Sequence, residues 1–227
     1  MAFPKSDIYI TFKCGTLCHQ FNPDIEMFAK PARKQSAKAR ATRQKLINAA
    51  AEEFREIGYF KTDTNKIAVR AGYAPATFYK HFINKLEIFL AAYEEWVAEE
   101  WQALNSSDSN TPESLIRIVL AHHKKYLLFR TDLRALAATE RTVKQYQNKL
   151  RREQVKRLAE LAPELGPNGA DWSTPVFLLL IMERVSDAIA DGSAKASHAD
   201  EEKLIAHLVS LIKSIPSLET SVIDNKD

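Results

Sequence analysis

The stretch from Arg43 to Phe89 constrains the fold most, because its glycine, proline and apolar residues fall at the spacing of short helices joined by tight turns. In the first helix the apolar residues recur on one face: Ile47, Ala50, Phe54 and Ile57. Gly58 follows, where a left-handed backbone ends a helix without steric cost. Thr62 or Asp63 can then cap a second helix through its side-chain oxygen.

The second and third helices are predicted to form a pair with a polar outer face. Gly72 allows a tight turn between them, and Pro75 suits the first position of the third helix because it lacks an N–H. Phe78 and Phe82, four residues apart, face inward together. The residues that then point outward are Thr77, Lys80 and His81. Two short helices joined by a glycine-containing turn are typical of a helix-turn-helix, although a purely structural corner has the same pattern.

Charge favours the DNA-binding interpretation over the structural corner. Residues 30–85 contain thirteen Lys or Arg and four acids, a net charge of +9, in a chain whose formal charge is +3. The remainder therefore carries −6. A basic head on an acidic body suits a polyanion-binding module and is not needed by a structural corner.

The same stretch resembles the N-terminal domain of the tetracycline-repressor (TetR) family. The run that carries the resemblance contains Arg43, Ala49, Ala50, Phe54, Gly58, Tyr59, Ile67, Ala68, Ala71, Gly72, Thr77, Phe78, Tyr79, Lys80, His81, Phe82, Asn84, Lys85 and Ile88, with Tyr73 among them as a departure. They lie within residues 40–90, about a fifth of the chain. The resemblance implies an all-α fold: an N-terminal three-helix helix-turn-helix domain (residues 37–84) and a C-terminal helical domain for ligand binding and dimerisation (residues 85–218).

The resemblance also implies which residues contact DNA. They are Thr64 and Asn65 at the start of the second helix, Ala76, Thr77 and Lys80 nearest the bases, and Tyr79, His81 and Lys85 on the DNA backbone. The outer face lacks the Arg, Asn and Gln side chains that make two-pronged base contacts. Lys80 is therefore the best direct reader, of a guanine, and Thr77 can touch a thymine methyl. We expect DNA shape and half-site spacing to supply much of the selectivity.

Three positions depart from the family pattern. Ala74 stands where Ser or Thr is usual and cannot supply an N-cap, which is typically worth about 0.5–2 kcal/mol. Tyr73 replaces a Val or Ile, and Leu86 replaces a Glu. These departures do not remove the fold, but they prevent transfer of an operator sequence from the family.

Residues 1–36 are expected to be a disordered basic lead. Met27 begins a more typical opening, and we hypothesise that translation starts there. Cys14, Cys18 and His19 are too few to indicate a metal site, so no metal is expected. The basic arm that follows has no acid before Glu52 and is either a solubilising tail or a segment that lies along the phosphates or in a minor groove. Within it, Arg40 and Arg43 are the expected DNA contacts.

The remaining chain is predicted to be helical throughout. Asn84 and Glu87 resemble a capping box that opens a fourth helix, and Thr111 starts a fifth. A charged helical stretch follows over 132–161, broken near Tyr146, and then a loop over 163–169. By the resemblance, a small-molecule effector pocket lies in this domain, with candidate lining residues Tyr93, Trp96, His122, Tyr126 and Phe129. The alternative is that these aromatic residues are packed core.

The last two helices, from Ser173 and from Ser197 to Ile215, carry more apolar surface than a monomer needs on one face. The favoured interpretation is a homodimer built on these helices, as in the family; the alternative is that both are core helices. The expected interface residues are Phe177, Leu180, Ile181, Val185, Leu204, Leu208, Leu211 and Ile212. Residues 219–227 are expected to be a disordered tail.

Three classes of function compete. The first is a ligand-responsive transcription regulator, most often a repressor, which binds a palindromic site in double-stranded DNA as a dimer. The second, an all-helical enzyme, is disfavoured because the sequence has no phosphate loop, nucleophile elbow or metal-ligand spacing; no catalytic residues and no cofactor are expected. The third is an architectural or localisation DNA-binding protein. No apolar run approaches the roughly 20 residues that span a bilayer, and a cytoplasmic location is expected.

Overall fold

A computed structural model describes residues 36–106, 111–161, 166–167 and 171–223, and these residues form α-helices without a strand. The helices are α1 (Ala37–Ile57), α2 (Thr64–Arg70), α3 (Pro75–His81), α4 (Lys85–Asn105), α5 (Pro112–Lys125), α6 (Leu127–Thr139), α7 (Arg141–Leu161), α8 (Ser173–Ala190), α9 (Ser193–Ala196) and α10 (Glu201–Ile223). The expected all-α fold is thus confirmed. None of these helices is both long and apolar enough to cross a bilayer.

Contacts divide the chain into two units, Met1–Ala41 and Thr42–Asp227, with the boundary inside α1. Of the first unit the structure describes residues 36–41, the start of that helix. The segment that holds the proposed start at Met27 and the cysteines lies outside the described residues. Within the second unit we call residues 42–84 the head and residues 85–223 the body.

Short-range backbone devices shape the head as its sequence predicts. Gly58 ends α1 with φ +79°, and Gly72 takes φ +78° in the turn between α2 and α3. Asp63 caps α2, its carboxylate accepting a hydrogen bond of 2.8 Å from the Lys66 N–H. The other candidate cap, Thr62, is buried and donates its hydroxyl to the Gly58 carbonyl instead.

The head and the first helices of the body share one hydrophobic core. Its residues in the head include Leu46, Ile47, Ala50, Phe54, Ile67, Ala68, Phe78 and Phe82. The Phe54 ring meets Phe89 of α4 edge-on, with 5.1 Å between ring centroids, and Phe89 stacks on Phe129 of α6 at 4.5 Å. One expectation was wrong: Ile57, at the last turn of α1, is 36% exposed and lies beside Phe60 and Leu128 at the surface.

The helix boundaries of the body differ from the sequence-based expectation at two places. The chain breaks at Tyr126, between α5 and α6, where the backbone has φ −110° and ψ 27°. A second break falls at Glu140, and α7 then continues through Tyr146, where the break was expected. The caps expected at Asn84 and Thr111 are present, accepting from the Glu87 and Ser114 amides.

The last helix, expected from Ser197 to Ile215, begins and ends later than expected. Helix α8 closes at Gly192, which has φ +79°. After the single turn of α9, α10 runs from Glu201 to Ile223, beyond the position 218 at which the helical domain was expected to end. Most of the loop expected over 163–169 and the last four residues, 224–227, lie outside the described part of the chain.

Candidate DNA interface and candidate effector site

Helix α3 presents the outer face that the helix-turn-helix pattern predicts. Pro75 occupies its first turn, and Ala74 precedes it in extended conformation without a side-chain cap. Phe78 is fully buried beneath the helix, whereas Ala76 and Lys80 are exposed and Thr77 is half-buried. The Lys80 side chain makes no hydrogen bond or ion pair with any residue that the structure describes. Its ammonium group therefore remains available to an anion or a base edge.

Two expected DNA contacts from different helices, Thr64 and Tyr79, are brought together. The Thr64 hydroxyl, at the start of α2, lies 3.0 Å from the Tyr79 hydroxyl of α3. Asn65 is exposed beside Thr64, and Tyr79 is 54% exposed despite its ring contact with Phe78. The hydroxyl groups of α2 and α3 thus form one continuous polar surface.

Lys85 has a second task within the head. Its ammonium group donates to the Tyr59 and Thr62 carbonyls, each at 2.8 Å, and lies 4.1 Å from the centroid of the Tyr59 ring. Partial burial lowers the pKa of this amine. Lys85 therefore ties the α1–α2 loop to α4, and its expected contact with the DNA backbone remains a prediction.

His81 and Arg43 lie close to the same surface. The Arg43 guanidinium stacks over the Phe82 ring, 4.7 Å from its centroid, and is half-buried. Burial, together with the charges of Arg43 and Lys80, lowers the pKa of His81. This shift favours the neutral form of the His81 imidazole. Arg40 is exposed in the first unit of the chain.

The acids of the head are concentrated on α1, where they pair with two arginines. Arg70 reaches Glu53 at 2.6 Å and Glu56 at 2.5 Å, and Arg55 reaches Glu52 at 3.2 Å. These ion pairs neutralise Arg55 and Arg70, so the two arginines contribute little to the attraction of an anion. Lys80 on α3 has no such acidic partner among the described residues, so its positive charge remains available at the recognition helix.

The sequence of the head matches a known protein family. Residues 46–92, from the middle of α1 into α4, match the model of the bacterial regulatory proteins of the tetR family. The N-terminal part of this chain is thus similar to the DNA-binding domain of the TetR family. The match contains all the expected DNA contacts on α2, α3 and α4, while Arg40 and Arg43 precede it.

Two relatives of known sequence match parts of the chain, and both are named as regulators. The chain is 26% identical over 108 residues to the fatty acid metabolism regulator protein of Bacillus subtilis, which is 48% of this chain and 56% of that protein. It is 42% identical over 60 residues to the HTH-type transcriptional regulator TtgW of Pseudomonas putida, 26% of this chain and 45% of the relative. The chain thus spans about half the length of the curated relatives it matches.

Solved structures show that the body also has a TetR-like fold. A putative TetR-family regulator from Rhodococcus sp. superposes with a TM-score of 0.60 at 18% identity, over 76% of this chain and 96% of that chain. A putative TetR-family regulator from Syntrophomonas wolfei gives 0.57 at 14% identity, over 78% and 96%. At these identities the likeness concerns the fold alone.

The five candidate effector residues come together in the body as one buried group. Tyr93 stacks on Trp96 at 5.4 Å, Trp96 stacks on His122 at 5.2 Å, and the Tyr126 ring lies 4.8 Å from His122. Phe129 lies 6.3 Å from Trp96. All five side chains are buried and contact one another, so their assignment to an effector pocket remains a prediction.

Polar atoms lie within this aromatic group without partners. Among the described residues, none offers a hydrogen bond to Trp96 Nε1, to Glu100 Oε1 or to either ring nitrogen of His122. Glu100 Oε1 lies 3.7 Å from His122 Nδ1 and 3.7 Å from His123 Nε2, beyond hydrogen-bond distance. A buried polar group left in this state costs roughly 1–3 kcal/mol.

The pKa values around these atoms favour uncharged groups. Burial lowers the pKa of His122 to about 4, and it raises the pKa of Glu100 to about 7. His123, whose Nδ1 lies 3.0 Å from Asp187 Oδ1, also has its pKa lowered to about 4 by burial. At neutral pH both imidazoles are therefore uncharged, and the Glu100 carboxyl titrates.

Charged groups next to this site are paired with each other. Arg130 binds Asp187 through Nε at 2.5 Å and Nη2 at 3.1 Å, and Arg134 also donates to Asp187. These contacts outweigh burial and hold the pKa of Asp187 below its usual value. Sequence reasoning missed this network, because Arg130 and Asp187 are 57 residues apart and neither belongs to a motif.

The expected interface residues of α8 and α10 divide into three groups. Phe177 and Leu180 are 48% and 45% exposed, next to the exposed Val176, which the sequence-based list omitted. Half-buried members are Ile181, Val185, Leu204, Leu211 and Ile212. Leu208 is buried against Ile116, Leu120 and Ile205 of its own chain, which corrects its assignment to a partner surface.

Proposed function

We propose that this chain is a DNA-binding transcription regulator of the TetR family, most simply a cytoplasmic repressor, which binds a palindromic site as a homodimer and responds to a small molecule. The observation that carries the proposal is the α2–α3 pair. Its inner side is fixed by the buried Ile67 and Phe78, and its outer side carries Lys80 and the linked hydroxyls of Thr64 and Tyr79. A basic, exposed second helix on a rigid support suits insertion into a major groove.

Dimerisation is supported by the exposed apolar surface of α8. Phe177 and Leu180 project from a helix whose opposite residues, Leu178 and Pro175, are already buried. Adjacent exposed apolar side chains of this size mark an interaction surface. A two-fold partner on this surface would place two heads on one DNA duplex, roughly 34–36 Å or a multiple apart.

Ligand response requires a connection between body and head, and the α1–α2 loop supplies one. The Tyr59 N–H donates to Asp132 of α6 at 2.5 Å. Gly58 packs so closely there that a Cβ would lie 2.7 Å from Asp132 Oδ2. A displacement of α6 would therefore reach the loop directly, which supports a population shift between head positions as the switching mechanism.

The first experiment is selection of bound fragments from sheared genomic DNA by the purified full chain at near-physiological salt. Recovery of one palindromic motif is the expected outcome. Recovery of unrelated fragments would replace the regulator with the architectural protein, and recovery of none would contradict DNA binding altogether.

The recognition helix is tested with Lys80→Ala on the selected motif. We expect a loss of roughly 1–3 kcal/mol in binding free energy, confined to one position of the half-site. Lys195→Ala removes the same charge from an exposed residue of α9 and should bind like the unaltered chain. Equal weakening on every sequence would make Lys80 a phosphate contact instead of a base reader.

The dimer surface is tested with Leu180→Asp, measured by light scattering after size-exclusion chromatography. The matched control is Leu128→Asp on α6, because both leucines are 45% exposed. We expect the first variant to elute as a monomer and the second to remain a dimer. A monomeric unaltered chain, or a dimeric Leu180→Asp variant, would contradict the proposed interface.

A further inference from the structure

The centre of the body holds hydrogen-bonding atoms that the fold itself does not use. Trp96 and Glu100 lie one turn apart on α4, and His122 faces them from α5. Each of the three side chains is more than nine-tenths buried, and each has a polar atom that no described residue satisfies. Buried polar atoms are normally paired, so a group of them on neighbouring helices indicates that another molecule supplies the partners.

Charge limits what that molecule can be. Arg130 and Arg134 are both bound to Asp187, and Arg151 of α7 is bound to Glu183 at 2.6 Å. A buried charged ligand needs a countercharge of its own, and the arginines already have theirs. Burial raises the pKa of the Glu100 carboxyl to about 7, so below that pH this group is mainly protonated and offers no charge to a cation. The atoms left over are an indole N–H, a neutral imidazole with one donor and one acceptor, and one carboxyl oxygen.

The shape of the surroundings limits the ligand further. The ring planes of Tyr93 and Trp96 differ by 23°, and those of Trp96 and His122 by 30°. Space opened between rings that are nearly parallel is flat. A planar ring fits such a space. Its own stacking contacts with the two neighbouring rings replace the contact that those rings lose.

We infer that Trp96, Glu100 and His122 form the polar end of a ligand site for an uncharged aromatic molecule whose substituent both donates and accepts a hydrogen bond, such as a carboxamide or a hydroxyl. This inference rests on the proposed ligand response of the regulator and names the chemistry of its effector. Tyr126 borders this site at the break between α5 and α6, where its hydroxyl donates to Glu99.

Three probes of one size test the charge class: benzamide, benzoate and the benzylammonium ion. Each is added to the full chain without DNA, and binding is measured by ligand-observed NMR and by the shift of the thermal midpoint. We expect benzamide to bind and to raise the midpoint more than either ion. Stronger binding of an ion, or binding of none of the three, would overturn the inference.

Substitutions then locate the site. His122→Phe keeps the stacked ring but removes both nitrogens, so it should weaken benzamide binding about tenfold. It should also raise the thermal midpoint, because two unpartnered buried atoms are lost. A histidine with a purely structural role gives the reverse: unchanged benzamide binding and a lower midpoint.

The matched control uses the two buried tryptophans of α4. Trp101 Nε1 also lacks a partner among the described residues, but Trp101 stands apart from His122 and packs against Arg157. Trp96→Phe should weaken benzamide binding, and Trp101→Phe should not. Equal effects would overturn the location of the site.

The failure of this inference can be separated from failure of the proposed function. DNA selection reports the head, and benzamide binding is measured without DNA. A chain that selects a palindrome but ignores benzamide keeps its proposed function and loses this effector class. The opposite result keeps the site and removes the regulator.

Discussion

The head and the body of this molecule treat polar groups differently. In the head, Asp63 and Asn84 cap helices, and Lys85 donates to two loop carbonyls. In the body, Trp96 and His122 keep buried nitrogens without a described partner. Polar groups that are satisfied internally fix a shape, whereas unsatisfied ones retain the capacity to bind. The comparison indicates that the polar groups of the head hold it in one conformation, whereas those of the body remain available to bind a ligand.

The largest expected effect tests whether the body depends on its buried ion pairs. Asp187→Ala leaves the buried Arg130 guanidinium without its partner, and we expect a loss of about 3–5 kcal/mol in the free energy of unfolding. Glu56→Ala removes a carboxylate from an exposed ion-pair group of the head, where Arg70 retains Glu53. Unfolding in urea is measured by circular dichroism, and that control should have the same free energy of unfolding as the unaltered chain. Equal losses of stability in the two variants would contradict the view that the body depends more than the head on its ion pairs.

The next effect concerns pH. Burial raises the pKa of Glu100 from 4.5 to about 7. Between these pH values the folded chain holds a proton that the unfolded chain releases. The free energy of unfolding therefore falls as pH rises from 4.5 to about 7. Glu100→Gln cannot ionise. We expect it to exceed the unaltered chain by about 2–3 kcal/mol at pH 8 and by little at pH 5.

Urea unfolding at both pH values measures the Glu100 difference. The two buried histidines titrate in both proteins, so their contribution cancels in the comparison. A gain of the same size at pH 5 and pH 8 would show that Glu100 does not ionise within this range in the folded chain.

Helix N-caps are expected to contribute equally to stability in the head and in the body. Asp63→Ala in the head and Asp200→Ala in the body each remove a carboxylate that accepts from a first-turn amide, at 2.8 and 2.9 Å. We expect similar losses of about 1 kcal/mol in thermal unfolding. A much larger loss for Asp63 would show that the cap also supports the tertiary packing of the head.

The smallest expected effect is a gain. Ala74→Ser supplies the cap that α3 lacks, since residue 74 already has the extended backbone of an N-cap. The head should gain about 0.5 kcal/mol in stability. Ala76→Ser, inside the helix, should give no gain. A loss on Ala74→Ser would show that the hydroxyl cannot reach the α3 amides.

Sequence patterns predicted the head well because its structural devices act over short distances. The positive φ angles of Gly58 and Gly72, the Asp63 cap and the inward pair of Phe78 and Phe82 each involve residues within a few positions of one another. Such features can be recognised from a single sequence. Ile57 was assigned wrongly because its exposure depends on where α6 lies.

The body was predicted less well because its important contacts join distant residues. Neither Tyr126 nor Glu140 is a glycine or proline, so nothing local indicated the breaks that they introduce. The same holds for the contact between Arg130 and Asp187. Trp96 and Glu100 are four residues apart and so lie on one face of α4, but only the fold shows that His122 meets them there.

The hydrogen bond between Thr64 and Tyr79 has a kinetic consequence. It joins the start of α2 to the outer face of α3, so the two hydroxyls move together before any DNA arrives. A surface that is already ordered loses little conformational freedom when it docks. We therefore expect association to be limited by encounter and orientation, with differences between good and poor DNA sites expressed mainly as residence times.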